Sequence, residues 1–188
     1  VFNDPSMCMA IDELDSGNIE SAITSFKRAI EINPMDSRAY SNLGIAYELQ
    51  SDHEKAREAY RKAIEISPGN AAVLNNLAGL ALLEGQSNEA FILYDSAISS
   101  DPLYIEPYLN IGRMFVEAKE FTTAEGYLRK VLYIEPDNTE ALNLIGIITN
   151  ATDRIIPYLQ NTNERRRIIA VNALKDIAEP RALQHAAP

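Results

Sequence analysis

Residues Ser37–Asn70 read SRAYSNLGIAYELQSDHEKAREAYRKAIEISPGN, and the fold follows from this stretch. Tyr40, Leu43, Gly44 and Tyr47 fall at offsets 0, 3, 4 and 7, which places them on one side of a helix. Ala56, Tyr60 and Ala63 keep the same period and mark a second helical face. Between the two faces, Gln50-Ser51-Asp52-His53 is polar and supplies turn and cap residues rather than core. Pro68-Gly69 then stops the second helix. The unit is a helix, a short turn, a second helix and a break.

The same unit recurs in register. Pro34, Pro68, Pro102 and Pro136 are each 34 residues apart, and so are Ala22, Ala56, Ala90 and Ala124. Ala29, Ala63, Ala97 and Val131 form a third column, and Phe26, Tyr60, Tyr94 and Leu128 a fourth. Ala10, Gly44, Ala78, Gly112 and Gly146 form a fifth column, small at every position. Several columns in register do not arise by chance. This order of residues resembles the tetratricopeptide repeat, a helical hairpin with the pattern W-x2-L-G-x2-Y, A-x3-F, P. Tyr40 stands in the place of the Trp and Tyr60 in the place of the Phe. The resemblance implies an all-α fold, an α-solenoid in which hairpins wind into a right-handed superhelix. The array is expected over residues 3–150, in units 3–36, 37–70, 71–104, 105–138 and a partial 139–150. Residues 151–188 are then a separate C-terminal helical segment, either a cap or the start of another array.

Composition sets the outer bounds. With 188 residues, 46% of them hydrophobic and 23% charged, the chain can bury ample apolar surface between neighbouring hairpins. No apolar run approaches the ~18 residues of a membrane span, so membrane insertion is not expected. The start Val1-Phe2-Asn3-Asp4-Pro5 has no initiator Met and no basic, apolar signal pattern, as expected of an excised piece. Cys8 is alone, so neither an internal disulfide nor a cysteine metal site can form. A reducing compartment suits that usage, and a cytoplasmic location is expected. Residues 1–150 carry 11 Lys/Arg against 23 Asp/Glu, whereas residues 151–188 carry 6 against 4. An acidic array argues against nucleic acid, whose phosphates need clustered cations, and its plain reading is a solvated face that keeps the protein soluble.

Two regions depart from the pattern. In the first unit Ser6 and Glu13 stand where an aromatic and a Tyr are due, so its first helix is expected to be poorly filled or to begin abruptly. Ser16-Gly17-Asn18 makes its turn, with Gly17 open to positive φ. The fifth unit begins on schedule with Leu142, Ile145 and Gly146, but Pro157 and Tyr158 replace the small second-helix position. One helix over Thr139–Thr149 is expected there, with Ile155, Ile156 and Leu159 in Asp153–Gln160 covering the end of the array. The stretch Glu164–Leu183 resembles a HEAT-like repeat of the phycobilin-lyase type at Arg167, Leu174, Ile177, Glu179, Pro180 and Arg181. That resemblance implies a continuation into a second kind of helical array.

Catalytic signals are weak. His53 lies in a turn and His185 near the C-terminus, neither with a Cys or carboxylate at ligand spacing. No phosphate loop, nucleophile elbow or H-E-x-x-H motif occurs. Cys8 reads as a small apolar side chain, and Asn150-Ala151-Thr152 as a chance glycosylation tripeptide. No enzyme activity, metal or cofactor is expected.

Binding is the stronger reading. In tetratricopeptide arrays the first helix of each hairpin lines an inner groove with its positions 2, 5, 6, 9, 12 and 13. Carried over, the resemblance implies Arg38, Ser41, Asn42, Ile45, Glu48 and Leu49 in the second unit, and Ala72, Asn75, Asn76, Gly79, Leu82 and Leu83 in the third. Glu106, Leu109, Asn110, Arg113, Val116 and Glu117 follow, then Glu140, Asn143, Leu144 and Ile147. The peptide contacts expected among these are Asn42, Asn76, Asn110, Arg38, Ile45, Leu49, Asn75, Leu82, Leu83, Leu109, Arg113, Val116 and Asn143. Asn42, Asn76 and Asn110 repeat every 34 residues, and an amide can pair with both the N–H and the C=O of an extended ligand. Such a column resembles the asparagine ladder of O-linked N-acetylglucosamine transferase repeats. The alternative is a generic or local hydrogen bond, and the apolar positions have their own alternative, burial between helices. Net hydrogen bonds of ~0.5–1.5 kcal/mol each would leave much of the affinity to apolar anchors. Position 5 is Met7, Ser41, Asn75 and Leu109 rather than Lys, so the carboxylate clamp of chaperone-tail binders is absent.

The function expected is a scaffold or adaptor that holds an extended peptide of a partner protein. A regulatory or substrate-recruiting domain of a larger enzyme and a module that self-associates through its open ends remain the alternatives.

Overall fold

A computed structural model describes residues 5–148 together with residues 164, 167, 168 and 171. Among the described residues all regular structure is helical: α1 (Pro5–Asp15), α2 (Ile19–Ile32), α3 (Ser37–Leu49), α4 (His53–Ile66), α5 (Ala71–Leu83), α6 (Ser87–Ser100), α7 (Glu106–Glu117), α8 (Phe121–Ile134) and α9 (Thr139–Ile148). The fold is an all-α solenoid of helical hairpins. It divides into two compact units, residues 1–101 and 102–188.

Each turn between hairpin partners is made the same way. Gly17, Ser51, Gly85 and Lys119 have φ values of 78°, 61°, 76° and 61°, all left-handed. That conformation lets the next residue's N–H return to the carbonyl five positions back, as Asn18→Glu13, Asp52→Tyr47, Gln86→Ala81 and Glu120→Phe115 do at 2.8–2.9 Å. These bonds satisfy carbonyls that the helix end would leave open.

In the first unit α1 packs on α2, α3 on α4 and α5 on α6, while α2 also packs on α3 and α4 on α5. The core is threaded by the side chains of Phe26, Tyr60 and Tyr94, each at most 1% exposed. A Cβ built at Gly44 would stand 2.4 Å from the Tyr60 ring, so the small column exists to admit a large side chain from the second helix. In the second unit α7 packs on α8 and α8 on α9. Gly112 there faces Leu128 in the same manner, at 2.7 Å.

Helix α1 is better anchored than its sequence suggests. It buries Met7 and Ala10. Glu13, in the place of the expected Tyr, accepts a hydrogen bond from the Ser21 hydroxyl of α2 at 2.6 Å. The Ser21 and Ser25 hydroxyls hold the Glu13 carboxyl below the usual carboxylate range. A polar tie has replaced a ring contact.

No helix among the described residues is long and apolar enough to cross a membrane. The expected end cover at Asp153–Gln160 lies outside the described residues, as does the HEAT-like stretch apart from Glu164, Arg167, Ile168 and Val171.

Candidate functional site

Three successive hairpin entries meet in the first unit. Met7, Cys8 and Ile11 of α1, Arg38, Ser41 and Asn42 of α3, and Asn70 and Ala72 at the start of α5 line a cleft of about 260 Å³. Helix caps fix its edges. Asp36 caps α3 by accepting the Arg38 backbone N–H at 3.0 Å, and Asn70 caps α5 by accepting that of Val73 at 3.3 Å. The Arg38 side chain turns back onto Asp36, with Nε at 3.2 Å and an NH2 group at 3.0 Å. This pairing holds the Asp36 carboxyl below its ordinary range and raises the guanidinium further. Arg38 is therefore present at the cleft but already committed. Asn42 is half-buried within it, and Cys8 is exposed.

The next rung is wired differently. Asn76 is half-buried, and its Oδ1 accepts from Asn75 Nδ2 at 3.5 Å. Its amide also bonds the Tyr60 hydroxyl, which in turn donates to a Glu48 carboxylate oxygen. Burial first, and the Glu48 carboxylate second, push the Tyr60 hydroxyl far above its ordinary value, so it stays protonated and a donor. The resemblance implies one face for Glu48 and Asn76, but the link between them passes through a side chain of the second helix, which the repeat pattern alone does not reveal. The signal was Tyr in the Phe column, a ring carrying a hydroxyl that burial obliges to find a partner.

The apolar positions divide. Leu49 and Leu83 are exposed, 56% and 72%, while Ile45 and Leu82 are half-buried. In the second unit Leu109 is only 8% exposed, so it belongs to the packing between helices and not to a ligand face. Val116 is half-buried. Asn110 accepts a hydrogen bond from Arg113 at 3.1 Å, and Arg113 also bonds Glu140 of α9. Asn143 is half-buried, with its Oδ1 shut from solvent and without a hydrogen-bond partner among the described residues.

A larger cleft of about 390 Å³ lies elsewhere, between Tyr40, Leu43 and Tyr47 of α3 and Lys55, Glu58, Ala59, Arg61, Lys62 and Glu65 of α4. Lys27 and Lys55 stand 5.8 and 5.5 Å from the centre of the Tyr47 ring. Lys55 is tied to Asp52 at 2.5 Å and Lys62 to Glu65 at 2.6 Å, so most of its cations are internally matched. No group of three or more His, Cys, Asp or Glu among the described residues could hold a metal ion.

Solved structures share this fold. PilF of Pseudomonas aeruginosa is 23% identical with a TM-score of 0.74, over 92% of this chain and 82% of its own. MamA is 18% identical with a TM-score of 0.68, over 93% and 92%. YrrB, described as a TPR protein with an unusual peptide-binding site, is 16% identical with a TM-score of 0.64, over 91% of each chain. No curated protein matches the chain. Three family models, each described as a tetratricopeptide repeat, match residues 9–71, 49–102 and 105–138. With hairpin columns, left-handed turns and family matches in agreement, the chain belongs to the tetratricopeptide repeat family.

Proposed function

We propose that the chain is an interaction scaffold whose first unit holds an extended segment of a partner protein against α1, α3 and α5. The observation that carries this is the cleft at Asn42, where a half-buried amide with donor and acceptor sits between the apolar side chains of Met7 and Ile11 and the caps of two helices. An extended backbone lying there finds a partner for its peptide group and apolar surface on the α1 side. Leu49 and Leu83, at the ends of α3 and α5, add apolar side chains open to solvent. YrrB, a similar fold, is described as having a peptide-binding site, which supports the class of ligand but not its identity. In the second unit Asn110, Arg113 and Asn143 are candidates for the same work.

The test is a selection of random peptides displayed on phage against the immobilised full chain, followed by calorimetry on those recovered. Asn42→Ala is expected to weaken a recovered peptide by about fivefold, the loss of roughly one net hydrogen bond. An unchanged Kd with every recovered peptide would remove this cleft from the account.

A further inference from the structure

A polar line with a direction also joins α3 and α5 through Tyr60 of α4. Asn75 donates to Asn76, the Asn76 amide bonds the Tyr60 hydroxyl, and Tyr60 donates to Glu48. Its donors all run toward one end, and that end is a carboxylate. Tyr60 is fully buried, so its hydroxyl is fixed and holds Glu48 in place. A carboxylate has about four acceptor sites. Tyr60 fills one of those on Glu48, which is half-buried rather than sealed.

The surroundings decide what such a group would take. Ile45 lies three residues before it and Leu49 one after it on α3, and the 34-residue repeat puts Leu82 at its own position in α5 and Leu83 at that of Leu49. Among the positions of this face in α3 and α5, Arg38 is the only cation, and Asp36 already engages it through two nitrogens. An acidic ligand therefore finds no free cation there. Residues 1–101 carry 7 Lys/Arg against 16 Asp/Glu, a balance that draws a cationic ligand in.

We propose that this face selects a peptide in which a Lys or Arg lies between apolar side chains, the cation seated on Glu48 and the apolar groups on Ile45, Leu49, Leu82 and Leu83. The proposal rests on the peptide-binding reading and names the chemistry of the occupant. In an extended ligand, alternate residues point to one side, roughly 7 Å apart. The recognised pattern is thus apolar-x-Lys/Arg-x-apolar. Tyr60 is the positioning residue that holds Glu48, and the Asn76 amide bonds the same hydroxyl.

The same display selection tests this when run on the full chain and on its Glu48→Gln variant, which removes the charge but keeps an acceptor for Tyr60. Recovered peptides are expected to carry the alternating pattern. Calorimetry should then show binding about tenfold weaker for Glu48→Gln, with raised salt weakening the unaltered protein more than the variant. Replacing the peptide's Lys by norleucine should cost the unaltered protein a similar factor, a control that needs no variant to fold. Tyr60→Phe, which frees Glu48, should weaken the Lys peptide more than its norleucine form, which a purely structural loss would not do. Peptides that lose affinity with Asn42→Ala yet carry no cation, or bind Glu48→Gln equally well, would overturn the cation seat and leave the groove reading intact. Recovery of no peptide sensitive to Asn42→Ala would overturn both.

Discussion

Four left-handed backbone positions recur at the turns, and glycine occupies two of them. Ser51 and Lys119 adopt φ of 61° with a side chain attached, a conformation that costs an L-residue about 1–2 kcal/mol. Glycine gives back part of that gain through its larger unfolded-state entropy. Ser51→Gly and Lys119→Gly are each expected to stabilise by about 0.5 kcal/mol, read as a higher urea midpoint at constant slope, whereas Gly17→Ala should destabilise. Glycines inside helices answer to space instead. A Cβ at Gly44 would lie within 2.4–2.9 Å of three atoms of the buried Tyr60 ring, whereas nothing lies within 4 Å of one at Gly126. Gly44→Ala is expected to cost ~1–3 kcal/mol from overpacking, and Gly126→Ala to gain ~0.5–1 kcal/mol from helix propensity alone. Asp36 adds a dependence on pH. Its carboxyl titrates below its unfolded value, so its stabilising share is complete above the unfolded value and is lost as pH falls through the folded one. The stability gap between the parent and Asp36→Ala, about 1 kcal/mol of cap at neutral pH, should therefore close as pH falls through the ordinary carboxylate range and below it, read as converging melting temperatures.

At the scale of elements, an ionic tie reinforces the apolar packing of α4 on α5 between the second and third hairpins of the first unit. Arg57 of α4, 8% exposed, donates to Glu84 at 2.5 Å and to Glu89 and Gln86 at 3.3 Å. The acids are the more solvated partners, with side chains 28% and 43% exposed. Removing charge from the two sides should not be symmetrical. Glu84→Ala with Glu89→Ala leaves a buried guanidinium facing only Gln86 and should cost ~3 kcal/mol, near the low end for broken buried pairs because solvent reaches the site. Arg57→Met leaves carboxylates that water can solvate and should stay within ~1 kcal/mol of the parent. Urea denaturation of the two variants, side by side, reads the difference. This tie also marks where the sequence stops being legible. Helix positions, small columns and turns follow from spacing, because backbone geometry repeats wherever Tyr40-like and Ala56-like residues repeat. Arg57, Tyr60 and Leu109 do not follow, because what they touch depends on how one hairpin sits on another. Glu13 shows the same limit, a polar residue in a core column that finds Ser21 only once α1 and α2 have met. The expected amide column was likewise legible as a spacing, whereas the use of Asn76 and Asn110 in side-chain hydrogen bonds was not.

Within the first unit every packed pair of helices is adjacent or next but one in the chain. Stability in such an arrangement is approximately a sum of hairpin terms and nearest-neighbour interfaces. The core side chains Phe26, Tyr60 and Tyr94 all lie before Asp101, so a fragment of residues 1–101 should fold alone, keep helical circular dichroism and unfold in one urea transition. Shortening it to residues 1–70 deletes α5 and α6, which removes the face on which α4 packs and the acids that engage Arg57. The nearest-neighbour picture then requires the shorter fragment to be less stable by one whole interface, with a shallower slope because less surface is exposed on unfolding. Asn76 leaves with α5, and Glu48 with Tyr60 remains. A peptide whose binding to the full chain is weakened by Asn42→Ala should therefore bind residues 1–101 with nearly unchanged Kd and residues 1–70 far more weakly, even at a temperature where both fragments are folded. Equal midpoints for the two fragments would mean that α5 and α6 contribute no interface. Equal peptide affinities would mean that the binding face ends at α3, and that the apolar pair on α5 has no part in holding the ligand.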